Sequence, residues 1–118
     1  MAAAKPTSRE VKFKPKQGFR DRYRGFLRLY PEIAGPMAEF NKLKREIPPG
    51  RLPALMKDHK LEGRLDEVRE CHLAPDVLLL YTHKDDVIEL LDICEHEDLY
   101  GKRGRVLGAR VRTSRQDR

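Results

Sequence analysis

The stretch from Asp58 to Gly101 reads DHKLEGRLDEVRECHLAPDVLLLYTHKDDVIELLDICEHEDLYG. Three runs within it have strand character. Asp66 to Leu73 mixes polar and apolar positions. Val77 to Tyr81 is nearly continuous apolar sequence, the pattern of a central strand with covered faces. Val87 to Cys94 forms the third run, set off from the second by His83-Lys84-Asp85-Asp86, which reads as a hairpin turn. A three-stranded antiparallel meander is therefore expected here. The same stretch holds all four histidines (His59, His72, His83, His96) and both cysteines (Cys71, Cys94). Groups able to move protons thus stand beside sequence that must be buried.

Upstream, the pattern changes to a helical period. Phe19, Tyr23, Phe26, Leu27 and Tyr30 recur on one face of a 3.6-residue repeat, predicting an amphipathic helix over Gln17 to Tyr30 that ends before Pro31. A second helix is expected from Pro36, with Met37, Phe40, Leu43 or Lys44, and Ile47 facing inward, and it stops at Pro48-Pro49-Gly50. Before both, Glu10 to Lys14 alternates polar and apolar residues like a half-exposed edge strand. Arg51 to Gly63 reads as a connection with a short helical turn near Leu55, which leaves His59 in a loop. The order is strand, helix, helix and then strands. It predicts an α+β fold in which an N-terminal strand and a helical hairpin pack on a small antiparallel sheet.

A chain of 118 residues has room for one modest core. The division expected is a flexible arm over residues 1–9, one domain over 10–101 and a basic tail over 102–118. No apolar run is long enough to span a bilayer, and the first ten residues do not read as a signal peptide. No membrane role and a cytoplasmic setting are therefore expected. Two cysteines without CxxC spacing predict free thiols in that reducing setting, not a disulfide framework. Metal-ligand spacing is also missing, so neither a metal nor another cofactor is expected.

Charge is divided sharply along the chain. Residues 1–60 carry 15 Lys/Arg against 6 Asp/Glu, residues 61–101 carry 3 against 12, and residues 102–118 carry 7 against 1. Basic ends point to an anionic partner such as nucleic acid, or to pairing with the acidic segment of the same molecule.

Four short pieces carry a resemblance. DHKLEG, then R-E-C-H-L-A-P-D, an apolar strand ending in Tyr81, and finally H-E-D-L-Y-G resemble the YafQ branch of the RelE/ParE toxin superfamily. That branch reads DHxLxG, R-D-x-H-x-x-P-D-W, a strand ending I-Y, and H-x-x-L-F-G. The match covers roughly Glu10 to Gly101. It implies a small toxin, paired with a cognate antitoxin, that sits on the ribosome and cuts mRNA without a metal. It also implies contact with operator DNA through the antitoxin.

Residue by residue, the resemblance implies that His59, His72, Asp76, His96 and Tyr100 are catalytic. It further implies that Lys57, Lys60, Arg64 and Arg69 are the cations nearest the RNA. Imidazole suits the chemistry, because attack by a 2′-hydroxyl needs a base and departure of the 5′-oxygen needs an acid. Acid and base are not assigned among the histidines. His83 has no counterpart in the motif and reads as a turn residue. Two positions depart from the pattern. Val77 replaces the aromatic after HxxPD, and Asp92 replaces an arginine four residues before the last histidine, where an aspartate would repel phosphate. The departures favour an alternative, a non-catalytic relative that keeps the fold and acts by protein binding.

Overall fold

The computed structural model describes residues 10–47, 49–61 and 67–96. The expected arm, Arg64, Tyr100 and the basic tail lie outside them. Two helices pack on one face of a five-stranded sheet. The elements run β1 (Lys12–Pro15), α1 (Phe19–Leu29), α2 (Ala34–Arg45), β2 (His59–Lys60), β3 (Arg69–Ala74), β4 (Val77–Lys84) and β5 (Val87–Glu95). Across the sheet the order is β1-β5-β4-β3-β2. The predicted meander is β3, β4 and β5. β1 is an edge strand as expected, but it pairs parallel with β5, which makes the sheet mixed.

Strand β4 explains its own composition. Val77, Leu79 and Tyr81 join the helices' core with Phe19, Ile33, Met37 and Phe40. The alternate residues Leu78 and Leu80 join a second cluster on the opposite face with Leu61, Val68, Leu91 and Cys94. All five residues from Val77 to Tyr81 are fully buried. A strand covered on both faces loses the polar–apolar alternation and reads as a continuous apolar run. Each such side chain contributes roughly 1.5–3 kcal/mol of transfer free energy.

Local chemistry sets the element ends. Gly18 precedes α1 at φ 82, in the left-handed region that costs glycine little. Pro31 ends α1 and opens a turn of 3₁₀ helix through Ile33, so α2 starts at Ala34, two residues before Pro36. Its inward face is Ile33, Met37, Phe40 and Lys44, while Ile47 is exposed. Two further details differ from the sequence reading. His59 lies in a two-residue strand, not a loop, because Lys60 and His59 pair with Arg69 and Glu70. Two residues are too few to show a period. His83 is a strand residue opposite Ile88, and the turn is Asp85-Asp86, with Asp85 at φ 55. The acidic segment is also met internally: Lys16 lies 3.7 Å from Glu89, and Arg22 lies 2.5 Å from Asp92.

Candidate active site

Alternation along β3 divides the candidate residues between two faces. Glu70 and His72 stand opposite Leu80 and Leu78, members of the second cluster. Arg69, Cys71 and Leu73 point the other way, and the last two belong to the core under the helices. Register extends the first face onto β2, since residues paired across a ladder share a face. His59 is paired with Glu70, and its Nε2 lies 3.3 Å from Glu70 Oε1. Its Nδ1 lies 2.7 Å from the Lys57 carbonyl oxygen. A carbonyl can only accept, so Nδ1 donates.

His72 is two residues further along β3, about 7 Å by strand geometry. Beyond it the chain turns at Pro75-Asp76, and there the His96 N–H donates to the Asp76 carbonyl at 3.0 Å. Asp76 and His96 are both exposed, at the end of the sheet where β3 turns into β4 and β5 finishes. Tyr30, at the end of α1, donates to Glu95 Oε2 at 2.6 Å beside this corner. The hydrogen bond to Glu95, then burial, pushes its phenol up to about 12. Four of the five expected catalytic residues therefore occupy one face of the sheet and one adjoining corner; Tyr100 lies outside the described residues.

The expected RNA-binding set is dispersed. Lys57 and Lys60 are exposed on either side of His59, but Lys60 stands opposite Arg69 in register, on the helix-side face. Arg69 is engaged there. Its Nε and Nη2 lie 3.3 and 3.2 Å from the two oxygens of Asp58. Asp58 also accepts from the Tyr81 hydroxyl, and Lys44 Nζ lies 3.7 Å away. Lys44 Nζ is in turn 5.4 Å from the centroid of the Tyr81 ring, and that ring packs edge-on to Phe40 at 4.8 Å. Burial and the Asp58 carboxylate push the Tyr81 phenol strongly up, which keeps it a donor. Burial lowers Arg69, but its bonds to Asp58 and Tyr81 outweigh that and raise it. Two of the motif pieces thus have a scaffolding residue next to a face residue: Asp58 beside His59, and Arg69 beside Glu70.

Asp92 takes a role the sequence reading missed. It is fully buried and holds Arg22 Nε at 2.5 Å and the Ile93 N–H at 2.8 Å. Its charge is met by α1 and does not point a bare anion at a substrate. Sequence reasoning also passed over Glu70, whose side chain is 3% exposed. The available signal was the acid following arginine in the R-x-x-H piece. Among the described residues no group of three or more His, Cys, Asp or Glu is arranged to hold a metal ion. Cys71 and Cys94 are buried and not joined in a disulfide, and burial, then the Asp58 charge, pushes the Cys71 thiol far up.

A helical pair on one face of a mixed sheet is the fold that this chain shares with solved bacterial toxin structures. A model of the bacterial YafQ toxins of type II toxin–antitoxin systems matches residues 12–101. The chain belongs to the YafQ toxin family. The mRNA interferase toxin YafQ of Escherichia coli K12 is 36% identical over 50 residues, which are 42% of this chain and 54% of that protein. The chain therefore spans about half the length of the curated relative it matches. Among solved structures, a copper-bound mutant toxin from Helicobacter pylori is 28% identical with a TM-score of 0.61, over 76% of this chain and 99% of that one. YafQ in the E. coli DinJ–YafQ toxin–antitoxin complex shares the fold at TM-score 0.64 and 21% identity, over 77% of this chain and 98% of that one. No helix among the described residues is long and apolar enough to cross a membrane.

Proposed function

We propose that this chain is the toxin of a type II toxin–antitoxin pair and an endoribonuclease that cleaves mRNA on the ribosome. The observation that carries the proposal is the shared face of His59 and His72, with the backbones of Asp76 and His96 hydrogen-bonded at its end. Cleavage by a neighbouring 2′-hydroxyl requires one group to take the hydroxyl proton and another to protonate the departing 5′-oxygen. Exposed and half-buried imidazoles within one sheet face supply both types. The chemistry needs no metal, because the nucleophile is already part of the RNA. Asp76 orients the corner that carries His96, and Tyr100 is the aromatic of the same set. Attraction for the phosphates comes from Lys57 beside His59, from Lys60 and Arg64, and from the basic N-terminal half and tail. Arg69, engaged with Asp58, serves the scaffold.

A cognate antitoxin is the expected partner, as in the DinJ–YafQ complex, with operator DNA contacted through it and with the cytoplasm as the site of action. The catalytic domain is assigned to residues 10–101. Expression of the wild type and of His96→Ala without antitoxin tests the reading. The wild type is expected to arrest growth and cut messages at codon-linked positions, and the variant to do neither. The second reading, a non-catalytic binder, rests on Asp92 standing where the family has an arginine. Growth arrest without message cleavage, equal in wild type and variant, would select it.

A further inference from the structure

Glu95 is the last rung of the β4–β5 ladder, and His96 lies one residue past it. Two ties close on the peptide that joins them, and they come from different parts of the fold. Glu95 stands opposite Val77 in register, so it shares the helix-side face to which Val77 belongs. There its Oε2 accepts from the Tyr30 hydroxyl at 2.6 Å. On the other side of the peptide, the His96 N–H donates to the Asp76 carbonyl at 3.0 Å. Tyr30 is itself a fixed platform. Its N–H donates to the Phe26 carbonyl at 2.7 Å, and its own carbonyl accepts from the Ile33 N–H at 3.0 Å. Its ring lies nearly parallel to that of Phe26, with centroids 6.1 Å apart. The bond to Glu95, then burial, pushes the phenol up to about 12, and the charges of Asp76 and Glu32 act the same way. The hydroxyl therefore stays a donor at neutral pH.

We propose that Tyr30 is a positioning residue for His96: by holding Glu95, its hydroxyl fixes the end of β5 from which the His96 imidazole meets the RNA. The inference rests on the nuclease reading above and adds to it a residue from α1, outside the motif pieces. A proton-transfer group works only within a narrow range of distance and angle, and an error of about 1 Å arising away from the chemistry can cost about a hundredfold. The backbone bond to Asp76 fixes where His96 begins. The Tyr30 bond, one residue earlier and from the helical layer, fixes the direction in which the chain arrives there. A phenylalanine would fill the same space beside Phe26, so the hydroxyl is the part of Tyr30 that serves Glu95. Tyr30 does not touch the reacting atoms; it acts through Glu95 and the peptide that leads to His96.

The test uses Tyr30→Phe, which removes one oxygen and keeps the ring. On a short message in programmed ribosomes, with the toxin saturating, the variant is expected to slow single-turnover cleavage on the order of tenfold. The toxin concentration that gives half the maximal rate should not change, because the defect lies in the reacting geometry and not in binding. Glu95→Ala should reproduce the loss, and combining the two should add little, because residues acting as a unit are not additive. Glu95→Gln keeps an oxygen that accepts from Tyr30 and should retain most of the rate. In the free protein, the ring resonances of His96 should shift or multiply in Tyr30→Phe while those of His59 stay in place, a change that a loss of stability alone would not produce. Wild-type cleavage by Tyr30→Phe, a loss seen only as weaker ribosome binding, equal losses in Glu95→Gln and Glu95→Ala, or unmoved His96 resonances would each overturn the role. A wild type that leaves the message intact overturns the nuclease reading itself, and this role falls with it.

Discussion

Asp58 accepts hydrogen bonds from Arg69 of β3 and Tyr81 of β4 and is ion-paired with Lys44 of α2. Its side chain is 17% exposed, so water can replace little of what a truncation removes. Asp58→Ala is expected to cost about 3 kcal/mol, since removing one partner leaves buried donors and a buried cation unmatched. Urea denaturation measures it, and Asp58→Asn, which keeps an acceptor for Tyr81, should cost roughly half as much. His83 supplies the pH dependence. Burial, then the charges of Lys44 and Arg69, lowers its pKa below the ordinary histidine range, against a hydrogen bond that the ring donates to the Asp85 backbone. The folded pKa thus lies below the unfolded value of about 6.5, so the unfolded chain takes up the proton first as pH falls. This contribution to stability is complete above about pH 6.5 and is lost as pH falls through the folded pKa. Comparing urea midpoints at acid and neutral pH, His83→Gln should narrow the difference relative to the wild type.

Helix α1 depends on its first glycine in two ways. Gly18 holds a positive φ, and a Cβ there would lie 2.6 Å from Arg22 Nη1. Arg22 cannot simply swing clear, because its Nε is committed to Asp92. Gly18→Ala should therefore cost about 2 kcal/mol in thermal or urea unfolding, from left-handed strain plus a disturbed ion pair. Strand β5 depends on the same pair from the other side. Restoring the family's arginine with Asp92→Arg would set two guanidinium groups together in a dry site. It is expected to unfold the domain, read by loss of the far-ultraviolet dichroism, and not to raise activity. A folded and more active Asp92→Arg would show that β5 can turn this position outward. The helix stripe from Phe19 to Tyr30 and the buried run of β4 were legible in the sequence because each has a period or length that only one element satisfies. The short strand β2 was not, since its existence comes from pairing with β3.

Among the described residues the sheet divides the buried apolar side chains into two clusters, with Cys71 in one and Cys94 in the other. If both clusters melt as one unit, neither thiol should react with an aromatic disulfide reagent in the native state, and both should become reactive at the same urea concentration. Earlier labelling of Cys94 alone would mean that the face bearing the site opens separately. At this scale the opposed charges of the two chain halves find a use within the fold, where Arg22 meets Asp92 across 70 residues and Lys16 meets Glu89 at 3.7 Å. From sequence alone came the order of elements, the meander, the two-helix layer and the histidine set marked by spaced motifs. These are carried by local period and by residue type, which survive without knowledge of contacts. Tertiary structure alone decided that β1 lies parallel to β5, that Glu70 and not Arg69 faces His59, and that Asp92 is a buried partner of Arg22. The physical reason is register: side chains alternate at every residue of a strand, so the face each takes, and the distant partner it meets, is set only when the strands pair.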